Sequence, residues 1–275
     1  MIAWPYPKLM TANPLVNQGA AVLLTSLEVA RGAGIPEHRL VPLQGGAAAG
    51  EPRDYMQRDR FDRSHAMEAV LETAVEMAGG DAGRFACREF YSCFPCVPKM
   101  ARRALGLPED AVPTVAGGLT FHGAPLNNYM LHAACAMVRA LRDAAPGALG
   151  LLYGQGGFVT NHRTLVLGGE AGAAPLVSQD RRAEADGRRG PVPPTVEGRS
   201  GEATVETHTV VFRGDGMPDF GAVVLRLPDG ARTMARVPRE DAATLAALMS
   251  PDRSAIGITG RLAPASEGGL QEWTV

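Results

Sequence analysis

The sequence predicts an α/β layered domain with buried central helices, followed by a small β-barrel of the oligonucleotide/oligosaccharide-binding (OB) type. Three observations carry this. Over residues 1–170 helix-like and strand-like stretches alternate. Beyond residue 201 the pattern becomes short alternating apolar runs separated by turn residues. Between them, 171–201 is rich in Pro, Gly, Arg and acidic residues without a hydrophobic period, and reads as a linker. The expected domains are therefore 1–170, a 171–201 tether and 202–275.

In the first segment the pattern predicts helices over 16–33, 64–78, 95–105 and 126–143. Strands are expected near 39–43, 86–91, 112–120, 148–154 and 158–167. Residues 126–138 (LNNYMLHAACAMV) and 14–27 (PLVNQGAAVLLTSL) carry no formal charge, and their apolar side chains cover nearly the whole helical circumference. Helices of that kind need cover on every side. The strands available to this segment supply only one sheet, so another chain or further residues must provide the missing layer.

The linker arginines Arg181, Arg182, Arg188 and Arg189 are interleaved with acids, which reads as a solvated tether rather than a nucleic-acid patch. In the last segment, strands are expected at 204–212, 220–228, 231–237 and 255–262, with a helix over 239–249. Asp229-Gly230 marks a hairpin between two of these runs.

With 275 residues and a net charge of −2, the chain is long enough for two domains and gives no electrostatic case for nucleic acid or an anionic membrane. The N-terminus lacks the charged-then-apolar pattern of a signal peptide, and no apolar run reaches membrane-spanning length. Four cysteines without secretory context read as reduced thiols. These features set the expectation of a cytoplasmic protein.

Three stretches concentrate chemistry: FYSCFPC (90–96), GGLTFHGAPLNNY (117–129) and GLLYGQGGFVTNH (150–162). His122, on the glycine-rich turn, reads either as a general base or donor toward a carbonyl, or as a turn histidine bonded to backbone. Cys93 falls near the expected start of a helix, where a thiolate is favoured. Cys93 and Cys96 form a CxxC, but the surrounding pattern is not that of a redox motif. A zinc site would need two more ligands from His122, His132 and Cys87. Small buried residues lining a pocket are the plainer reading. His162 can face the same pocket from the hairpin. His132 reads as a core or interface histidine, and Asn127 and Asn128 as helix caps. Gly154, Gly156 and Gly157 lie in a hairpin and do not form a phosphate loop. His38, His65 and His208 carry no signal.

These motifs, in this order and together with MTANPLVNQGAAVLLTSLEVARGAGIP (10–36), resemble the C-terminal half of the thiolase superfamily. The similarity is greatest to thiolase-like proteins described as acetyl-CoA acetyltransferases, some with an extra C-terminal β domain. The resemblance implies a thiolase-type layered half-domain followed by an OB-like barrel, and acyl-CoA acyltransferase chemistry in lipid metabolism. It implies a coenzyme A thioester as substrate and no covalently bound cofactor or metal.

His122, Cys93, Tyr91 and His162 become the implied catalytic candidates. Gly123, Pro125, Asn127, Asn128, Gly154, Gly156 and Gly157 become acyl-CoA-binding candidates. The sequence departs from the family at three points. The Gly-His-Pro histidine falls on Ala124, the Cys-x-Gly position on Tyr153 or Gly154, and the half that carries the nucleophilic cysteine has no counterpart here. The expected partner is an N-terminal thiolase-half chain or a second copy, with no nucleic acid and no membrane. The alternative is a non-catalytic acyl-CoA-binding or protein-interaction scaffold.

Overall fold

The run LQGGAAAG contains no β-branched or aromatic residue, yet it forms strand β1 (Leu43–Gly50) in the computed structural model of the protein. Its glycines admit a close approach of neighbouring backbone. A Cβ at Gly46 would lie 2.1 Å from the Thr164 carbonyl oxygen. The strand was expected four residues earlier, over 39–43, because side-chain alternation cannot flag a strand made of alanine and glycine. The structure describes residues 1–171, 175–264 and 269–275.

Residues 11–53 and 62–189 form one compact unit. Its helices are α1 (Leu27–Gly32), α2 (His65–Met77), α3 (Cys96–Ala104), α4 (Gly118–Phe121), α5 (Tyr129–Asp143) and α6 (Arg182–Arg188). The strands besides β1 are β2 (Phe85–Phe90), β3 (Leu149–Gly156), β4 (Asn161–Gly168) and β5 (Val177–Asp180), in the sheet order β2-β3-β4-β1-β5. One face of the sheet is sealed. Phe85, Phe90, Leu151, Tyr153 and Val166 pack there with the buried side of α2, Val97 and Ala101 of α3, and Ala185 of α6. On the other face Leu152 and Leu167 meet Leu119, Ala124, Tyr129, Ala133 and Met137.

The expected buried helix over 14–27 is not formed. Only Leu27–Gly32 is helical, and Leu15, Leu23 and Leu24 are 87%, 86% and 77% exposed. The rest of the segment has no regular secondary structure and lies against α5, with Cys135 Sγ donating to the Ala21 carbonyl oxygen. A helix apolar all round is stable only when covered all round, and among the described residues nothing covers the outer side. Helix α5 tells the same story. Its fully buried residues are Tyr129, Ala133 and Met137, a single stripe at four-residue spacing.

The expected strand over 112–120 is also absent. The Val115 and Ala116 N–H groups donate to the Glu89 carboxylate, which removes them from any ladder. The stretch read as a tether contains β5 and α6. Strand β5 pairs in parallel with β1, and Arg188 bridges to Glu72 and Glu184. Arg188 and Arg189, through Glu72 and Glu51, hold residues 175–189 within the layered unit.

Residues 1–10, 54–61 and 190–275 form the second unit, so the chain does not divide into the three consecutive segments expected. Five strands, β6 (Gly201–Phe212), β7 (Pro218–Arg226), β8 (Arg232–Val237), β9 (Thr259–Ala263) and β10 (Glu272–Thr274), close in the order β10-β8-β7-β6-β9. The β8–β10 pair is parallel and the others antiparallel, and α7 (Ala242–Leu248) links β8 to β9. This is the expected OB-like barrel. Asp229 and Gly230 form the β7–β8 turn, Gly230 at φ +84° and the Asp229 carboxylate accepting from Ala231 N–H. At the centre Trp273 is fully buried and donates its indole N–H to the Ala203 carbonyl. The N-terminus joins this unit through Trp4 N–H, bonded to the Val210 carbonyl.

Candidate functional site

The site on the α5 side of the sheet is organised by a residue the sequence did not single out. Glu89, fully buried on β2, accepts from Tyr129 Oη at 2.7 Å through one carboxylate oxygen. Through the other it accepts from Thr114 Oγ1 at 2.7 Å and from the Val115 and Ala116 N–H groups at 3.0 Å each. A buried carboxylate persists when its lone pairs are filled in this way. It fixes Tyr129 at the start of α5 and shapes the loop that leads into α4. Burial, followed by the Glu89 charge, pushes the Tyr129 hydroxyl well above its usual range, so Tyr129 stays protonated as a donor.

Tyr129 is the hub for the sequence-predicted residues. The Tyr91 ring meets it edge-on at 5.7 Å, and the His122 ring does so at 5.7 Å. Tyr91 Oη lies 3.5 Å from Cys93 Sγ. Burial and then the Cys93 contact raise the Tyr91 hydroxyl above its ordinary value, which keeps it a neutral proton donor. His122 ends α4, and its carbonyl accepts from the Gln18 amide at 2.7 Å. Its Nε2 is screened from water and has no hydrogen-bond partner among the described residues. Gly123 at φ +103° makes this geometry possible, since a Cβ there would sit 2.6 Å from a Val16 methyl.

His132, expected to be a core or interface histidine, stands beside His122 with ring centroids 4.9 Å apart. Burial, followed by the charge of His122, holds its pKa below the ordinary histidine value. One positive charge in this pair disfavours a second. Asn128 bonds His132 Nε2 at 3.3 Å and the Gln18 carbonyl at 3.4 Å. It occupies the N-cap position of α5, yet its side chain makes no cap hydrogen bond, contrary to the expectation for Asn127 and Asn128. The i, i+4 spacing of Asn128 and His132 was the available signal for this contact.

His162 is elsewhere. It lies fully buried on the α2 side of the sheet, its ring stacked on Tyr153 with Nδ1 2.7 Å from Tyr153 Oη. Nε2 reaches Ser64 Oγ at 3.3 Å and the Val159 carbonyl at 3.2 Å. The Ser64 proton is committed to Glu51 at 2.6 Å, so His162 donates from Nε2 and accepts from Tyr153 at Nδ1. Burial would raise the Glu51 carboxyl, but the Ala66 N–H, the Ser64 hydroxyl and Arg189 together lower it. Ser64 and His162 therefore form a structural network that caps α2, and the sheet separates it from His122.

Cys93 packs with the α5-side cluster and Cys96 with the α2-side cluster, which divides the CxxC between two cores. Helix α3 begins at Cys96, so Cys93 precedes its first turn rather than heading it. Gly154 faces the first turn of α5, where a Cβ would meet Met130 at 3.4 Å; Gly156 and Gly157 lie at the β3–β4 hairpin. Pro125 precedes the short turn Leu126–Asn128 that leads into α5, and Asn127 lies exposed within it. Among the described residues no group of three His, Cys, Asp or Glu side chains could hold a metal ion, and no helix is long and apolar enough to cross a membrane.

A family model for the additional C-terminal domain of thiolase-like protein type 1 matches residues 185–266. The crystal structure of a monomeric SCP2-thiolase like protein type 1 from Mycobacterium smegmatis matches 100% of this chain at 31% identity and a TM-score of 0.85. The match covers 59% of that protein, so the chain spans less than two thirds of its length. Acat5 thiolase from Ascaris suum, in complex with coenzyme A, matches at 18% identity and a TM-score of 0.39 over 53% of this chain and 34% of that one. The dimeric peroxisomal thiolase of Saccharomyces cerevisiae matches at 15% and 0.36, over 52% and 33%. Similarities as low as these last two carry no weight for the fold. No curated protein matches the sequence.

Proposed function

Given a thiolase-like protein with an additional C-terminal domain, we propose that its α/β unit is one half of an acyl-CoA acyltransferase site in the cytoplasm. In this reading the nucleophilic cysteine comes from an N-terminal thiolase half. The observation that carries the proposal is the buried, unpartnered His122 Nε2, placed with Tyr91 and Cys93 around Tyr129.

His122 takes the nucleophile's proton or donates toward the thioester oxygen, and burial, followed by its charge, holds the neighbouring His132 below the ordinary histidine pKa. Tyr91, held neutral, donates to the developing oxyanion. Gly156, with open space where a Cβ would stand, leaves room for a pantetheine arm to approach the backbone, whereas Gly123 and Gly154 face Val16 and Met130. The uncovered leucines of 15–24 supply the apolar surface that the other half covers. A second copy of the chain is the weaker candidate for that cover, because the Mycobacterium smegmatis relative is described as monomeric.

One observation favours the scaffold reading. Tyr153, one of two positions onto which the Cys-x-Gly motif falls, points to the other side of the sheet and is bonded to His162. The test is co-expression with an N-terminal thiolase half and assay of CoA release from acetoacetyl-CoA. The pure chain should release none, and the assembly should turn over. His122→Ala should then lower the assembly's rate by about 10²-fold or more. An assembly that forms but has no activity, or whose activity ignores His122, supports the scaffold instead.

A further inference from the structure

Along β8 the side chains alternate, with Ala235 and Val237 in the barrel core and Arg232, Met234 and Arg236 outside. Arg232 is nevertheless fully buried. What covers it is the segment 54–61, part of the barrel's own compact unit although it lies far away in sequence. Arg232 Nη1 donates to the Met56 carbonyl at 2.7 Å and to the Arg58 carbonyl at 2.5 Å. Its Nε and Nη2 donate to Glu206 at 2.9 and 2.5 Å. The Phe61 ring lies over the guanidinium at 4.7 Å. Tyr55 Oη reaches Met234 Sδ at 3.4 Å, and Asp59 accepts from Gly190 N–H at 3.0 Å.

We propose that the barrel is an intramolecular peptide-binding module whose ligand is the chain's own segment Asp54–Phe61. The feature it reads is a turn presenting two carbonyls, two residues apart, and an aromatic ring. A guanidinium has five N–H donors and cannot shed its charge. Glu206 also accepts from Arg226 at 2.7 Å, so two cations share one carboxylate. The donors left on Arg232 Nη1 are satisfied by the segment's carbonyls, and lifting the segment away would strand them. In barrels of this topology the second and third strands present the ligand face. Here those are β7 and β8, and at Arg232 and Met234 that face is filled from within the chain. The domain's role is thereby to fasten the loop between β1 and α2, and this face is closed to single-stranded nucleic acid.

The test is amide hydrogen exchange of the full chain, read at 55–61, for wild type, Arg232→Met and Phe61→Ala. Arg232→Met keeps the apolar stem and removes the donors; exchange at 55–61 should rise about tenfold or more while core amides of β6–β8 hold. Phe61→Ala leaves the Arg232–Glu206 pair in place and should raise exchange at 55–61 several-fold. If Arg232→Met unfolds the barrel, seen as loss of Trp273 burial in fluorescence, Phe61→Ala alone decides. Wild-type protection of 55–61 in Phe61→Ala, or in a folded Arg232→Met, overturns the proposal. Binding of oligo-dT to the wild-type chain with loss of protection at 55–61 overturns it as well.

Discussion

The barrel and the layered unit solve the same problem to different degrees. In the barrel every strand has two neighbours, and an aromatic residue at its centre has its one polar atom bonded. Even its outward Arg232 is covered. The layered unit completes one face of its sheet and leaves the other half made. Helix α5 buries a single stripe, and the uncharged stretch 14–26 lies beside it without regular secondary structure, three of its leucines in water. Closure, rather than composition, distinguishes the two. Both are built from ordinary apolar residues, but only the barrel has within the described chain all the surface its core needs.

The contrast can be broken first where the barrel is most complete. Trp273→Ala should destabilise the barrel by about 3–5 kcal/mol, read by denaturant unfolding. A loss under about 1 kcal/mol would mean that the barrel core is not closed around it. Next comes the one buried anchor of the half-made face. Glu89→Gln places an amide among four donors and should cost about 1–3 kcal/mol. The same substitution should loosen 114–116, visible as faster amide exchange there. Unchanged exchange would show that the loop is held by something other than the carboxylate.

The pH response is smaller, and it reads both units at once. His132 is held below the ordinary histidine pKa by burial and the charge of His122. His208 of the barrel is held below it by burial, against the opposing hydrogen bond to the Leu248 carbonyl. Unfolding restores the ordinary pKa of about 6.5, so the unfolded chain binds more protons below that pH. Stability should be fully present above about pH 6.5 and fall as the pH drops through the lowered values. His208→Gln should flatten the barrel's share of this dependence. A stability that rises on acidification over this range would reverse the sign and contradict both assignments. The smallest effect belongs to the open face. Leu23→Ser should change stability by no more than about 0.5 kcal/mol, because nothing is uncovered that was covered.

What was legible in the sequence follows the same division. Strands β6 to β9 announced themselves because alternation and turn chemistry are local signals, and Asp229-Gly230 fixed one hairpin. Strand β10 escaped because three residues, Glu272–Thr274, carry no period; only its pairing to β8 and β9 makes it a strand. The stretch 14–27 reads as a helix because apolar content without charge says that a segment wants cover, not that cover is present.

At the site, His122, Tyr91 and Cys93 were visible from the motifs that carry the family resemblance, and the fold brings them together. Glu89 was missed because a carboxylate beside Arg88 on a strand looks like a solvated pair. Only the tertiary path of 114–116 reveals the donors it collects. His162 was placed on the wrong face. It follows Tyr153 onto the α2 side, and a hairpin histidine gives no sign of which side it takes until the register is known.

The barrel is closed, whereas the α5 side of the layered unit is not. Amide hydrogen exchange across the isolated 275-residue chain tests this difference most directly. Near-unprotected exchange is expected over 14–26, beside slow exchange governed by global unfolding in β6–β8. Protection of 14–26 equal to that of the barrel would mean the face is already covered, and would contradict this expectation.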